Sequence, residues 1–206
     1  MKRSAVLLTA IFVLCAGPWA LAQHRDLSIG GFGAYTGTDT GLGLNQTATT
    51  SFGILGSFRR YADNKAHAGY ELSYGFTQNS QVLTNLDGSP SARAQTRVHE
   101  FGGAYVYRFM RGPIEPFAML GGSWMIFSPT GESIEESPLP EPQKRNRIGL
   151  LYGAGVDCRL LDSLAVRAQL RNTLYEAPDL YGQNISQHTS RPTQMYEPTI
   201  GVVWRF

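Results

Sequence analysis

The chain has 206 residues, with 18 lysines and arginines against 16 aspartates and glutamates, and a formal net charge of +2 at pH 7. This near balance gives no global attraction to nucleic acid, and the length fits one domain. Beyond the N-terminal segment, no apolar stretch reaches the roughly 20 residues that a transmembrane helix needs. If the chain enters a membrane, it must therefore cross as strands, which show the bilayer only alternate residues.

The first 22 residues have the three parts of a secretory signal peptide. They are a basic start at Met1 to Arg3, an apolar stretch from Ser4 to Ala16, and a small-x-small cleavage site at Ala20 to Ala22. We expect a cleaved signal over residues 1–22 and a mature domain over residues 23–206. Its loss leaves 16 basic and 16 acidic residues and one cysteine, Cys158, so the mature chain cannot form an internal disulfide.

Alternation of apolar and polar residues predicts eight strands in the mature chain, where no helical period persists. In the third strand, for example, Tyr70, Leu72 and Tyr74 oppose Glu71 and Ser73, because side chains on a strand alternate between its faces. The predicted bounds are about 27–36, 50–61, 67–77, 97–109, 115–127, 148–160, 164–175 and 194–206.

The predicted connections alternate strictly in length. Residues 62–66, 110–114 and 161–163 are short turns, whereas residues 37–49, 78–96, 128–147 and 176–193 are long and rich in turn-forming residues. A chain that threads a membrane up and down has this pattern, with short periplasmic turns and long extracellular loops. An even number of strands then leaves both termini on the periplasmic side.

The last strand has an apolar face that ends on an aromatic carboxyl terminus. Tyr196, Pro198, Ile200, Val202, Trp204 and Phe206 alternate with Glu197, Thr199, Gly201, Val203 and Arg205. Such a strand is typical of one that closes a barrel, with its aromatics at the membrane interface.

Aromatic residues near the ends of the strands predict two girdles at the membrane interfaces. The periplasmic girdle would contain Phe109, Phe117, Trp204 and Phe206, and the extracellular girdle Tyr35, Phe52, Phe76, Phe127, Tyr175 and Tyr196.

The signal, the eight amphipathic strands, the alternating loop lengths and the terminal Val202-Val-Trp-Arg-Phe206 together resemble the small OmpA/OmpX-type outer membrane β-barrel family. The resemblance implies an all-β fold, an eight-stranded antiparallel up-and-down transmembrane β-barrel in the outer membrane of a Gram-negative-type bacterium. It also implies a non-enzymatic role in envelope integrity or surface contact, with outer-membrane lipid and lipopolysaccharide as partners. The barrel-assembly machinery would read the last strand at Ile200, Val202, Trp204 and Phe206.

The polar faces of the strands would then fill the barrel with a charge network. Its predicted members are Arg59, Glu71, Glu100, Arg108, Asp157, Arg159, Arg167, Arg171, Glu197 and Arg205. An eight-stranded barrel is just wide enough for side chains to fill, and a buried charge is costly unless it is paired. We therefore expect ion pairs to plug the lumen. A narrow porin-like channel for ions or small solutes, lined by Arg159, Arg167, Arg171 and Glu71, is the alternative.

A second alternative is an outer-membrane lipid A deacylase, a class of barrels with a His-x-Ser pair and an acidic partner. His188 and Ser190 could be the base and the nucleophile, with Glu197 as the acid, but Arg191 stands where that family has Asn. The four histidines have no metal-ligand spacing, and no helix follows the glycine-rich segments, as a phosphate loop requires. We expect no catalytic residues, metal or cofactor.

Overall fold

The computed structural model describes residues 25–37, 39–40, 44–46, 49–62, 66–85, 90–132, 143–178, 180 and 192–206, so the predicted signal lies outside the described residues. These residues form ten strands. They are β1 (Arg25–Thr36), β2 (Asp39–Thr40), β3 (Leu44–Gln46), β4 (Thr49–Tyr61), β5 (Ala68–Asn85), β6 (Pro90–Arg108), β7 (Ile114–Glu132), β8 (Arg145–Leu161), β9 (Leu164–Glu176) and β10 (Pro192–Arg205). In this part of the chain no helix is long and apolar enough to cross a membrane.

The eight long strands close into one antiparallel barrel. Each pairs with its neighbours in the chain, and the first strand, β1, pairs with both β4 and the last strand, β10. At the closure, the backbone N–H groups of Arg25 and Phe206 each donate to the other residue's carbonyl oxygen at 3.0 Å. The predicted all-β, eight-stranded fold is therefore confirmed. The two short strands are an addition, because β3 pairs with the end of β5 and β2 pairs with β3.

The prediction of a long loop over residues 78–96 is wrong. β5 continues to Asn85 and β6 begins at Pro90, and the two strands remain paired from Gln78–Arg97 up to Thr84–Pro90. β7 and β8 likewise continue into the predicted loop at 128–147. The polar composition of these segments indicates contact with water, but a hairpin that leaves the membrane can keep its backbone hydrogen bonds while both faces become polar.

The two faces of the wall are distributed as expected for a barrel in lipid. Leu72, Ile148 and Ile200 are 58%, 81% and 65% exposed on the outer surface, whereas Glu71 and Arg167 are 1% and 2% exposed in the lumen. Because apolar side chains face outward and charged ones inward, the described wall is suited to hydrocarbon and not to water.

The girdle prediction is wrong for three aromatic residues. Phe117, Phe127 and Tyr175 are buried inside the barrel. Phe117 and Phe127 share the parity of the buried Glu115 on β7, so the pleat directs them inward whatever their distance from the strand ends. The remaining members lie on the outer surface, where all but the partly buried Phe76 are exposed: Tyr35, Phe52, Phe76, Phe109, Tyr196, Trp204 and Phe206.

Candidate functional site

The periplasmic half of the lumen contains a continuous set of ion pairs, which we call the periplasmic charge cluster. All eight long strands contribute to it, and its members are Asp26, Arg59, Glu71, Arg108, Glu115, Asp157, Arg159, Arg167 and Arg205. All are buried except Arg159, whose side chain is 35% exposed at the rim.

Two arginines organise the centre of this cluster. The guanidinium of Arg167 donates from Nε to Asp157 Oδ1 at 2.7 Å and from Nη2 to Asp157 Oδ2 at 2.9 Å, which is a bidentate pair. Arg59 Nε donates to Glu71 Oε2 at 2.8 Å, and Arg167 Nη1 reaches the same oxygen at 3.4 Å. Arg59 also lies over the ring of Phe117, 4.0 Å from its centroid. The fork geometry fixes the carboxylates as well as neutralising them.

Glu115 joins three arginines at the periplasmic end. Its Oε1 accepts from Arg159 Nη2 at 2.6 Å, and its Oε2 lies 3.0 Å from Arg205 Nη2 and 3.1 Å from Arg108 Nη1. Arg205 also donates to Asp157 at 3.3 Å. A single carboxylate therefore links strands β6, β7, β8 and β10.

A smaller polar group lies at mid-height around Arg171, with Glu100 and Glu197 as its acidic partners. Arg171 Nη2 donates to Glu100 Oε1 at 3.3 Å and to Ser73 Oγ at 3.3 Å, and its Nη1 lies 3.8 Å from Glu197 Oε2. The hydroxyl of Thr173 donates to Glu100 Oε1 at 3.1 Å. These contacts connect β9 to β5 and β6 across the lumen, and to its wall neighbour β10.

The extracellular half of the lumen contains an apolar cluster, which the sequence analysis did not anticipate, beside buried polar side chains such as Thr77, Asn79 and Thr96. Its buried apolar residues, the extracellular apolar cluster, are Phe32, Ala34, Leu55, Val98, Met125, Phe127, Tyr175, Leu180 and Met195. Phe127 and Tyr175 stack with ring centroids 5.6 Å apart. The segment after β9 contributes to the closure, because Ala177 and Leu180 are 0% and 3% exposed. Arg147 Nε donates to the Glu176 carbonyl at 3.1 Å and helps to hold that segment.

The structure brings the ten predicted luminal residues together: nine are buried, and Arg159 lies at the rim. The sequence analysis missed Asp26 and Glu115. With them, the described residues provide six arginines and six carboxylates to the lumen, whereas the predicted set held six and four. Asp26 precedes the first predicted strand (about 27–36), whose four glycine and alanine residues give no clear alternation between two faces. The register of the strand pairs would have indicated its luminal position, because Asp26 lies opposite Arg59 on β4 and Arg205 on β10.

The remaining predicted residues fall into three groups. Ile200, Val202, Trp204 and Phe206 lie in sequence order on the outer face of the last strand and its end. His188 and Ser190 lie outside the described residues. Their proposed acidic partner, Glu197, is 1% exposed inside the lumen near Arg171. No group of three or more potential metal ligands occurs among the residues that the structure describes.

A closed barrel with an apolar outer wall and a packed, paired interior defines a small transmembrane β-barrel of the outer membrane type. The family described as "Outer membrane protein beta-barrel domain" matches residues 6–206. The chain belongs to this family and is an outer-membrane protein.

Three solved structures have a similar fold. The attachment invasion locus protein Ail of Yersinia pestis, in complex with the heparin analogue sucrose octasulfate, has 14% identity and a TM-score of 0.56, covering 90% of this chain and 100% of that chain. Neisserial surface protein A has 14% identity and a TM-score of 0.55 (90% and 98% covered), and OprG from Pseudomonas aeruginosa 15% and 0.56 (88% and 95%). No curated protein matches the chain.

Proposed function

We propose that this protein is a sealed, non-enzymatic outer-membrane barrel that supports envelope integrity and surface contact. The observation that carries the proposal is the filling of the lumen at three successive levels. The periplasmic charge cluster occupies one end, the group around Arg171 occupies the middle, and the extracellular apolar cluster occupies the other end. An ion that entered from outside would first have to pass the extracellular apolar cluster, whose members carry no charge that could replace its hydration shell.

The interior ion pairs support a structural role because they connect strands that are not neighbours in the wall. Arg167 on β9 contacts Glu71 on β5, and Arg171 on β9 contacts Glu100 on β6. Removal of one partner from such a pair leaves an uncompensated buried charge, which costs about 3–5 kcal/mol. The network therefore resists deformation of the barrel cross-section, as an envelope component under mechanical load requires.

A role in surface contact is supported by the length of one side of the barrel. β5, β6 and β7 have 18, 19 and 19 residues. At about 3.3 Å per residue and a tilt of about 40°, such strands span more than about 40 Å along the membrane normal, against an apolar band of about 25 Å. The excess places paired β-structure above the membrane, with the exposed basic residues Arg97 in the extracellular half of β6 and Lys144 next to the extracellular end of β8. These cations suit the phosphate groups of lipopolysaccharide.

Planar-bilayer recording tests the sealed lumen. We expect the purified, folded protein to give no steady conductance steps. Steps that are present in the native protein and abolished by Arg167→Ala would reverse this conclusion in favour of a narrow channel. Mass spectrometry of lipid A from expressing cells tests the non-enzymatic assignment. Loss of an acyl chain that depends on Ser190 would contradict it.

Recognition of the last strand by the barrel-assembly machinery is part of the same proposal. Phe206 is 64% exposed, and its backbone is paired with Arg25 at the closure, so its side chain contributes no luminal packing. Deletion of Phe206 should lower the amount of heat-modifiable barrel in the outer membrane, measured by gel shift. Unchanged levels would remove the support for the assembly signal.

A further inference from the structure

The outer wall has a depression of about 810 Å³ where β1 meets β10. Its lipid-facing lining includes Gly31, Gly33, Phe52, Ala168, Leu170 and Ile200. Phe52 and Ile200 are 89% and 65% exposed and project at its borders, whereas glycine and alanine form its floor. A concave site of this size is within the range that holds a small molecule or an acyl chain.

Two glycines keep this depression open although the wall does not require them. A Cβ on Gly31 would lie 3.8 Å from the Gly53 carbonyl oxygen, and one on Gly33 would lie 3.9 Å from Pro198 Cγ, both ordinary contact distances. On the same strand, a Cβ on Gly30 would lie only 2.4 Å from the Ile200 carbonyl oxygen. Packing therefore explains Gly30, whereas side chains at positions 31 and 33 would fit and would fill the depression.

The depression coincides with an interruption in the wall. The pairing of β1 with β10 runs through Phe32–Thr199 and resumes at Tyr35–Tyr196. Pro198 lies in the gap and has no N–H group to donate to a partner strand. The seam therefore lacks the regular ladder at the level where the outer surface is concave.

A neutral polar cluster lies on the outer face directly to the extracellular side of the depression. Tyr196 donates from its hydroxyl to Gln194 Oε1 at 2.6 Å, and Gln194 Nε2 donates to the hydroxyl of Tyr152. Asn172 stands between Tyr152 and Tyr196 in the strand register. It is 8% exposed, and its Oδ1 has no hydrogen-bond donor among the described residues.

The position of Asn172 makes this unpaired oxygen informative. Leu170 and Leu174, its neighbours of the same parity, are 46% and 41% exposed on the lipid-facing side. Hydrocarbon offers no donor, and a buried amide oxygen without one is costly. A polar group of the molecule that covers this face would supply the missing donor once the flanking phenol side chains turn aside.

We propose that the depression and the polar cluster form a binding site for one lipid A moiety of lipopolysaccharide. An acyl chain would occupy the depression, and an acylamide N–H or a 3-hydroxyl group of that lipid would donate to Asn172 Oδ1. The glycerol esters of phospholipids offer only acceptors at this depth, so they leave Asn172 unsatisfied. The cluster has no charged side chain, which fits the neutral acyl-linkage region of the lipid and not its phosphates. The site does not depend on whether the lumen conducts.

Two variants on the site and one on the opposite wall test the proposal. Gly33→Leu fills the depression, and Asn172→Leu removes the acceptor while keeping the volume. Gly103→Leu is the matched control, because Gly103 also faces outward, on β6 opposite β10, and a Cβ there would lie 3.9 Å from Leu72 Cδ2. Each protein is extracted from outer membranes in mild detergent, and only preparations with a heat-modifiable folded band are compared. The readout is the amount of 3-hydroxy fatty acid and of phospholipid retained per barrel.

We expect Gly33→Leu and Asn172→Leu each to lower the retained 3-hydroxy fatty acid by about fivefold or more, the change that one ordinary hydrogen bond carries. Gly103→Leu should retain the native amount. Equal retention in all four proteins, or an equal loss in the control, would mean that the lipid is an unspecific annulus and would overturn the site. A loss of phospholipid alone would overturn the assignment to lipid A. If Gly33→Leu gives no folded band, Asn172→Leu alone decides between these outcomes.

Discussion

The two halves of the lumen are filled by side chains of different chemistry. The periplasmic half contains nine charged side chains from all eight long strands, and the extracellular half contains a cluster of nine apolar or aromatic residues. Both fill a space that is only about as wide as its side chains. The charged half relies on pairing, so the loss of one partner leaves several other buried charges unpaired. The apolar half relies on volume, where a lost side chain leaves a cavity of its own size.

The largest effect should come from the charged half at Glu115. Glu115→Ala leaves Arg108, Arg159 and Arg205 without their shared acceptor, and we expect a loss of about 3–5 kcal/mol in the free energy of unfolding. The measurement is urea unfolding of the folded barrel in detergent, followed by gel shift. Glu115→Gln keeps the shape without the charge and should lose nearly as much. A variant as stable as the native protein would show that pairing contributes little here.

In the apolar half we expect a somewhat smaller loss in the free energy of unfolding. Met125 is 0% exposed within the extracellular apolar cluster, and Met125→Ala should cost about 2–5 kcal/mol through lost burial and the cavity that remains. The same urea titration measures it. Met125→Leu, which nearly conserves the volume, is the control and should cost less than about 1.5 kcal/mol. Equal losses in both variants would indicate that packing is not what stabilises this half.

The outer wall provides a third measurement that is independent of the lumen. Leu170 is 46% exposed on the lipid-facing side of β9, and Leu170→Arg should cost about 2–4 kcal/mol if the residue lies near the membrane midplane. Unfolding in lipid vesicles measures the change. An unchanged free energy of unfolding would contradict this prediction, because it would place Leu170 away from hydrocarbon.

The smallest effect should be that of salt on the charged half. Ion pairs with side chains as little exposed as Arg167 and Asp157 (3% and 4%) are shielded from mobile ions. We expect the unfolding midpoint to stay nearly constant when the salt concentration rises tenfold, in the native protein and in Met125→Ala alike. A midpoint that falls steeply in both would indicate that water and ions reach the cluster.

The sequence predicted the charged half far better than the apolar half, for a physical reason. Where a strand has charges on one face and apolar residues on the other, as around Glu71 and Arg167, period 2 reveals both faces. On β7 the luminal Phe117 and Met119 alternate with the outward Leu120 and Trp124, so both faces are apolar and the period disappears. The girdle assignment of Phe117 and Phe127 failed on this strand.

The sequence analysis also missed the extracellular extension of the hairpins, because there the strands have polar residues on both faces. Beyond the apolar band the outer face of β5 and β6 is polar, as the exposed Gln78 and Arg97 show, and the inner face also has polar residues such as Asn79 and Thr96. A paired strand there has the composition of a loop. The missed carboxylate of Glu115 stood at the first residue of a strand with mixed faces. Its partners Arg108, Arg159 and Arg205 come from three other strands, and only the register reveals that they converge.

The unequal strand lengths give the barrel a slanted rim. The strands β5 to β8 have 17 to 19 residues, whereas β1, β4, β9 and β10 have 12 to 14. Among the described residues, the paired wall on that side therefore extends further from the membrane than the paired wall on the other side. Antibodies raised against intact cells should bind at that edge, and a tag inserted there should be accessible on intact cells.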